Sequence, residues 1–364
     1  MKLTCNRDRF STLFSLAAAV ASIRDIKAVL QYVKMTVESN RVILCATDMD
    51  TSIRLVLDEA DILDEGETIL PTRLMKNVIQ ESNADALEMS LEDDKLTIRA
   101  GKAFYQFATQ PIEDFPEVPP FASEAYHEVQ GKSLLDHIRR TSFAIDTENT
   151  KYTLSGVLFE LTEGRIATVS TDGRRLANQE GVAAAHGDHF SENSAIVPLK
   201  ALMLVEKAFG QTAEPVKINI EDGKITFATS NITITSRLVE GRFPKWKNIL
   251  PNKLERIKVD IAVSAFYQCV RQTAFLATDN QPGIVLHFEA GQLEITANGA
   301  GNSAVPTPIS YDSEPIDIKL DPRFLLDFLR CLPSEAILSI YLKEKQSVLF
   351  ETNDGYSYVL MPLA

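Results

Sequence analysis

VESNRVILCATDMD (37–50) reads as a strand, a turn, a second strand and a polar corner. The same phrase returns as LFELTEGRIATVSTDGRR (158–175) and as LHFEAGQLEITANGAG (286–301). Its corners, Asp48, Asp172 and Asn298, fall about 125 residues apart, the size of one domain. A second phrase keeps step with the first: MSLEDDKLTIRAG (89–101), INIEDGKITFATS (218–230) and SIYLKEKQSVLFET (339–352). A repeat this long is a whole domain, so the reading is three similar domains in tandem, 1–122, 128–252 and 253–364. Similar domains joined end to end build arcs and rings, and such a chain works by shape.

Each repeat opens with an amphipathic helix. In the first, Phe10, Leu13, Phe14, Ala17 and Val20 form one apolar stripe. In the second (133–145), Leu134, Leu135, Ile138 and Phe143 point inward and Arg139 and Arg140 outward; in the third (264–277), Phe266, Val270 and Ala274 share a face that Arg271 leaves. A second helix follows midway at 71–80, 198–210 and 321–332, with Pro71, Pro198 and Pro322 at the starts and Asp321 as an N-cap. Short alternating strands with Glu-Asp-Gly-type turns fill the rest. The fold class is α+β, two helices on antiparallel sheets with about eight strands per repeat. Two proline-rich connectors, PIEDFPEVPPFASEAY (111–126) and GRFPKWKNILPNKLER (241–256), are expected to be extended and stiff.

Composition agrees with this. A chain of 364 residues is too long for one hydrophobic core and natural for three. No apolar run approaches the roughly 18 residues of a membrane span, and the opening MKLTCNRDRF alternates like a strand instead of carrying a signal peptide's apolar centre. Cys5, Cys45, Cys269 and Cys331 lack CxxC spacing and read as buried free thiols of a reducing cytoplasm. The net charge of −13 argues against nucleic acid at first sight. A protein acidic outside and basic on one inner face would still admit DNA where the fold wants it.

Catalytic motifs are missing: there is no GxSxG elbow, no glycine-rich phosphate loop and no HExxH. His186, Asp188 and His189 could hold a metal, but AAAHGDHFSENS reads as a polar loop. Asp172 beside Arg174 and Arg175 could be an acid among anion binders, yet its counterparts Asp48 and Asn298 lack the arginines, so it reads as a turn former. The chain closes with YSYVLMPLA (356–364). An apolar terminal segment is either packed in its own core or forms half of a groove for a partner.

STDGRRLA (170–177), SRLVEGRFPKW (236–246) and YVLMPL (358–363) resemble the β subunit of bacterial DNA polymerase III, the sliding-clamp family, and the likeness runs through essentially the whole chain. The resemblance implies clamp domains in a head-to-tail dimeric ring of six, with no active site, cofactor or metal of its own. Twelve helices at roughly 10 Å each would line a circle of about 120 Å and leave a bore of about 28 Å, enough for a duplex. It implies sequence-independent, topological contact with double-stranded DNA through Arg24, Arg73, Lys132, Arg139, Arg140, Lys151, Tyr152 and Lys200, with Lys207 and Arg271 also on inner helices. It implies a peptide-binding pocket of Leu154, Thr171, Gly173, Arg174, Arg175, Leu176, Pro244, Asn248, Ile249, Ser347, Val359, Leu360, Met361, Pro362 and Leu363. The DNA polymerase III α subunit, the clamp loader, other polymerases and repair factors would compete for it through short apolar motifs. The dimer interface would bring Tyr105 and Phe107 of the first domain to Phe275 and Leu276 of the third.

The chain departs from the family pattern in places. Arg174 stands for a usual His, Asn248 for a common Arg, and Ala364 for a basic residue; Glu148 and Leu199 do not match DNA contacts. The acidic cluster after ITAN is replaced by GAGNSAVPTPIS, and Leu74 stands where its cationic partner would be. The interface is therefore expected to rest on apolar burial and strand pairing. Two other readings compete with the clamp: an acidic hydrolase using Asp172, His186 and Asp188, and a repeat protein that binds peptides without encircling DNA.

Overall fold

The structure is a computed structural model that describes residues 1–21, 27–148, 152–187, 193–210 and 212–363. Among these, each repeat supplies two helices: α1 (Arg7–Val20) and α2 (Thr72–Glu81), α3 (Gly131–Thr141) and α4 (Leu199–Phe209), α5 (Val263–Ala274) and α6 (Pro322–Leu329). Local chemistry explains their ends. Asn6 caps α1, its Oδ1 accepting from the N–H groups of Asp8 and Arg9 at 3.0 and 3.1 Å. Asp321 caps α6 through the N–H of Arg323 at 2.9 Å, with Pro322 as first helical residue. Pro71 and Pro198 differ from expectation: each is the last residue of a strand (Gly66–Pro71, Asn193–Pro198) that runs directly into its helix. Proline terminates pairing as well as it starts a helix.

The strands alternate as the sequence does. In Tyr32–Glu38 and Thr51–Leu57 every second side chain is buried. The hairpin after Pro215–Glu221 turns on Asp222 and Gly223, with φ of 50° and 71°; its counterpart in the first repeat uses Asp93 and Asp94 at 48° and 59°. Two successive left-handed residues match the twist of the flanking strands, as a type I′ turn requires.

Packing gathers the repeats into two compact units, residues 1–132, 185–189 and 200–238 in one and residues 133–184, 190–199 and 239–364 in the other. Main-chain pairing is the cause. In the first unit, strand Ile232–Arg237 of the middle repeat pairs antiparallel with Thr51–Leu57 of the first repeat, Ile234 opposite Ile53, inside a nine-stranded sheet. In the second, strand Arg175–Val182 pairs with Tyr356–Leu360, Leu176 opposite Val359, inside an eight-stranded sheet. A five-stranded sheet completes the first unit and a four-stranded sheet the second. The second unit's core centres on Phe266, Phe288, Phe328, Phe350, Tyr356 and Tyr358, with the Phe328 and Tyr358 rings stacked 4.5 Å apart.

Both connectors are pinned to sheet faces by apolar pegs. In the first unit Phe115 and Val118 pack on Ile43, Cys45 and Ile69. In the second, Trp246 packs on Leu158, Val169, Leu176, Leu349 and Val359. The second connector also coils into short helical turns at Trp246–Asn248 and Lys253–Glu255, where extended chain was expected. The four cysteines are free; Cys5, Cys45 and Cys269 are buried as expected but Cys331 is only half-buried, and burial pushes the Cys5 thiol up to about 12, so it is inert. No described helix is long and apolar enough to cross a membrane.

Candidate functional site

The corner at Asp172 is built by its own backbone. Asp172 Oδ1 accepts from the N–H groups of Arg174 and Arg175 at 2.9 and 3.0 Å, and Gly173 takes φ 88°, a conformation a side chain would strain. Asp48 holds Asp50 and Thr51 in the same way, at 3.1 and 2.7 Å. The repeated aspartate is therefore a turn former in both places. Thr171 tightens the corner from inside, donating to the Arg175 carbonyl at 2.6 Å and accepting from the Gly173 N–H at 3.1 Å.

Arg175 anchors this turn to the rest of its unit. Its guanidinium donates to Asp172 (3.0 Å), Asp327 (2.9 Å) and the Phe143 carbonyl (2.7 Å), and lies 4.3 Å from the centroid of the Phe324 ring. Burial acts to lower its pKa, but Tyr358, Asp327 and Asp172 outweigh that and hold it raised. An arginine committed this fully is a strut. Arg174 beside it is mostly exposed, 3.8 Å from Glu148, and remains available at the rim.

From this corner the terminal segment is stitched down. The N–H of Met361 donates to the Arg174 carbonyl at 2.9 Å and that of Leu363 to the Lys319 carbonyl at 2.8 Å. Antiparallel register sets Thr171, Leu176, Val359 and Leu349 in one row across four strands. Leu176 and Val359 are buried, while Met361 is 51% and Ile249 44% exposed. Trp246, donating to Glu160 at 3.1 Å, fixes the connector that carries Pro244, Asn248 and Ile249, all exposed. Leu154 is buried, and a side chain at Gly241 would collide with Thr153. Ser347 precedes strand Val348–Glu351, whose Val348 lies opposite Leu360. The Asp172 corner, the connector and Met361–Leu363 thus flank one apolar row with polar groups at its rim, a candidate slot. Such a slot can take apolar side chains of an extended segment. Sequence reasoning missed Trp246, Phe324 and Asp327, which position the slot. The tryptophan was visible inside SRLVEGRFPKW; the other two were not, because they act from a distant helix.

Three family models match the chain in order: the DNA polymerase III beta subunit N-terminal domain at residues 1–119, its central domain at 128–245 and its C-terminal domain at 247–364. The chain belongs to the β sliding clamp family. It is 29% identical to the beta sliding clamp of Pseudomonas putida over 370 residues and 25% identical to that of Vibrio cholerae over 369, covering all of each chain. Among solved structures it resembles the DNA polymerase III subunit beta of Pseudomonas aeruginosa with a TM-score of 0.89 and 27% identity, covering all of both chains. The P. aeruginosa sliding clamp bound to griselimycin matches with a TM-score of 0.92 and 27% identity, covering 100% of this chain and 99% of that one. The clamp is accordingly a non-catalytic processivity factor of DNA polymerase III, an α+β protein of three clamp domains.

The clamp's expected DNA contacts divide. Arg73, Lys132, Arg139 and Lys200 are exposed, Arg73 on α2, Lys132 and Arg139 on α3 and Lys200 on α4, where it pairs with Asp48. Arg24 and Lys151 lie outside the described residues, and Tyr152 opens the turn Tyr152–Leu154. Arg140 requires a correction. It was expected outward with Arg139, but it is 7% exposed, donating to Gln179 at 2.8 Å and Asp354 at 2.7 Å and lying over the Tyr356 ring. Successive helical residues are about 100° apart, so both arginines cannot share the centre of one face.

The hydrolase reading fares poorly on geometry as well as on family. Asp172 is spent on its turn, and His186, expected in a loop, ends strand Ala184–His186 stacked 4.8 Å from Tyr126. Asp188 and His189 lie outside the described residues. No group of three His, Cys, Asp or Glu residues among those described is arranged to hold a metal.

Proposed function

We propose that this clamp closes head to tail with a second copy into a ring of six domains, 1–122, 128–252 and 253–364 in each chain. The ring encircles duplex DNA without reading its sequence and acts in the cytoplasm. Arg73, Lys132, Arg139 and Lys200, exposed on helices, supply cations for phosphate contact; Arg24, Lys151 and Tyr152 belong to the same proposal. Because the ring holds DNA by topology, few close contacts are needed, and a chain of charge −13 is not thereby excluded.

The slot binds short apolar peptide motifs of the DNA polymerase III α subunit, the clamp loader, other polymerases and repair factors. The observation that supports this is the row Thr171, Leu176, Val359, closed on one side by a main-chain bond from Met361 to Arg174. Light scattering with negative-stain imaging tests the ring: a two-chain mass with open-centred particles is expected, and a single-chain mass with open arcs at micromolar concentration refutes closure. Met361→Asp tests the slot by placing a charge among apolar groups. It should weaken binding of a Leu-Phe peptide at least tenfold while leaving the two-chain mass unchanged, and an unchanged affinity removes the terminal segment from the site.

The closing surfaces are Tyr105 and Phe107 on edge strand Ala103–Ala108 and Phe275 and Leu276 after α5. Phe275 is 74% exposed, an apolar area consistent with a partner surface.

A further inference from the structure

A free sheet edge offers its main chain to any other strand, and charged side chains are the common guard against that. Three edge strands of this chain carry the guard: Asp61 and Asp64 on Ala60–Asp64, Lys258 and Asp260 on Ile257–Ala262, and Asp317 and Lys319 on Ile316–Leu320. The uncharged edge Asn193–Pro198 is covered instead, by a main-chain bond from the Val239 N–H to the Ile196 carbonyl at 2.8 Å. Two further edges have no charge at all. Strand Ala103–Ala108 lies in AFYQFATQPI (103–112), and strand Asn302–Pro308 in ITANGAGNSAVPTPISY (295–311). Both adjoin the closing surfaces of the proposed ring. Tyr105 and Phe107 stand on the first, and the second begins beside Leu276, whose carbonyl accepts from the Ala300 N–H at 2.9 Å.

Register assigns the faces of both strands. Tyr105 and Phe107 lie opposite the buried Ile98 and Leu96 and share their core side, whereas Phe104 lies opposite Arg99 on the outer side. There the Arg99 guanidinium is 5.3 Å from the centroid of the Phe104 ring, yet Phe104 is 52% exposed. The ring is held on one side and open on the other. In Asn302–Pro308 the half-buried Val305 packs on the core, and the even-numbered residues are exposed on the outer side. Two edges set side by side keep their faces, so outer side chains meet outer side chains. Phe104 of one copy therefore meets Asn302, Ala304, Pro306 or Pro308 of the second, and three of these four are apolar. An exposed aromatic ring gains from covering its open face with such a surface.

We propose that ring closure has an outer apolar clasp, in which Phe104 of one copy seats against Ala304 and Pro306 of the second. The proposal rests on the reading of the chain as a closed ring, and its test separates the two. Dimer dissociation constants of the full chain would be measured by fluorescence-detected sedimentation. Phe104→Ala should weaken the dimer about tenfold. Opposite charges then locate the contact. Phe104→Lys, Ala304→Glu and Pro306→Glu should each weaken the dimer alone. When Phe104→Lys is combined with each glutamate variant in turn, one combination should bind at least about tenfold tighter than the product of its single effects, because the new charges face each other. The N–H that Pro306→Glu adds is present with and without the lysine, so it cancels in that comparison. Phe104 stands exposed at an edge, so Phe104→Ala keeps the fold if the lysine variant does not. Additive effects in both combinations, or native affinity in Phe104→Ala, overturn the clasp and leave the ring standing. A single-chain mass for the native protein overturns the ring and the clasp together.

Discussion

His137 and Arg140 show how single side chains of α3 are committed to the interior. His137 is 1% exposed; its Nδ1 lies 2.9 Å from Thr168 Oγ1, and Gly181 is the neighbour whose missing side chain leaves room for Nε2. Burial, then the nearby Arg140 charge, lowers its pKa from 6.5 to about 4. The folded state therefore binds this proton only near pH 4, while the unfolded chain binds it below 6.5, so stability is intact above 6.5 and is lost as pH falls. Denaturant titrations at pH 7 and pH 4.5 should show a loss greater by roughly 2 to 3 kcal/mol in the native protein than in His137→Gln, because carboxylate contributions are common to both. Equal losses would mean that His137 is protonated in place. Arg140→Met leaves the Gln179 and Asp354 acceptors without their donor, and should cost about 3 kcal/mol of stability by denaturant unfolding. Its DNA retention should match the native protein once folded, whereas Lys132→Ala should lower it; a selective retention defect in Arg140→Met would restore the outward reading.

Among the elements, the edge strand Asn302–Pro308 is limited in what it can pair with. It pairs with Gln292–Asn298 so that Leu293 faces Thr307 and Gln292 faces Pro308. The N–H of Ile309 donates to the Gly291 carbonyl, and odd-numbered residues accordingly turn their N–H groups inward. Even-numbered residues face the open edge, and there Pro306 and Pro308 have no N–H to offer. Only Asn302 and Ala304 can donate to an added strand. Prolines on an outward edge discourage unwanted strand addition. In the proposed ring, the share of closure that strand pairing on this edge could supply is then small. Replacing both prolines with valine restores two donors and should tighten the dimer by about tenfold in sedimentation equilibrium. An unchanged dissociation constant would mean that this edge is not used in closure.

For the whole molecule, continuity of sheets across repeats is the organising fact. The middle repeat lends one strand pairing to each compact unit, so a repeat boundary in sequence is not a boundary in packing. Main-chain ladders thus tie the middle repeat into each unit. Closure of the proposed ring should be insensitive to salt, because Leu74 and the uncharged GAGNSAVPTPIS segment leave no ion pairs of the usual kind to screen. Dimer dissociation measured from about 0.05 to about 0.3 M salt should change less than threefold; a steep rise would reveal charged contacts that this surface does not suggest.

The threefold repeat, the helix stripes, the turn-forming aspartates and the family were legible in the sequence, because each depends on local spacing or on a run of neighbouring residues. Asp172 makes its turn with atoms two and three residues away, and GRFPKW carries its own peg. What tertiary structure decided are the matters set by residues far apart in the chain. Arg140 turned inward because Asp354 lies beside it across 214 residues. Arg175 became a strut through Asp327. Periodicity states which way a side chain starts; only the packed neighbours state what it meets.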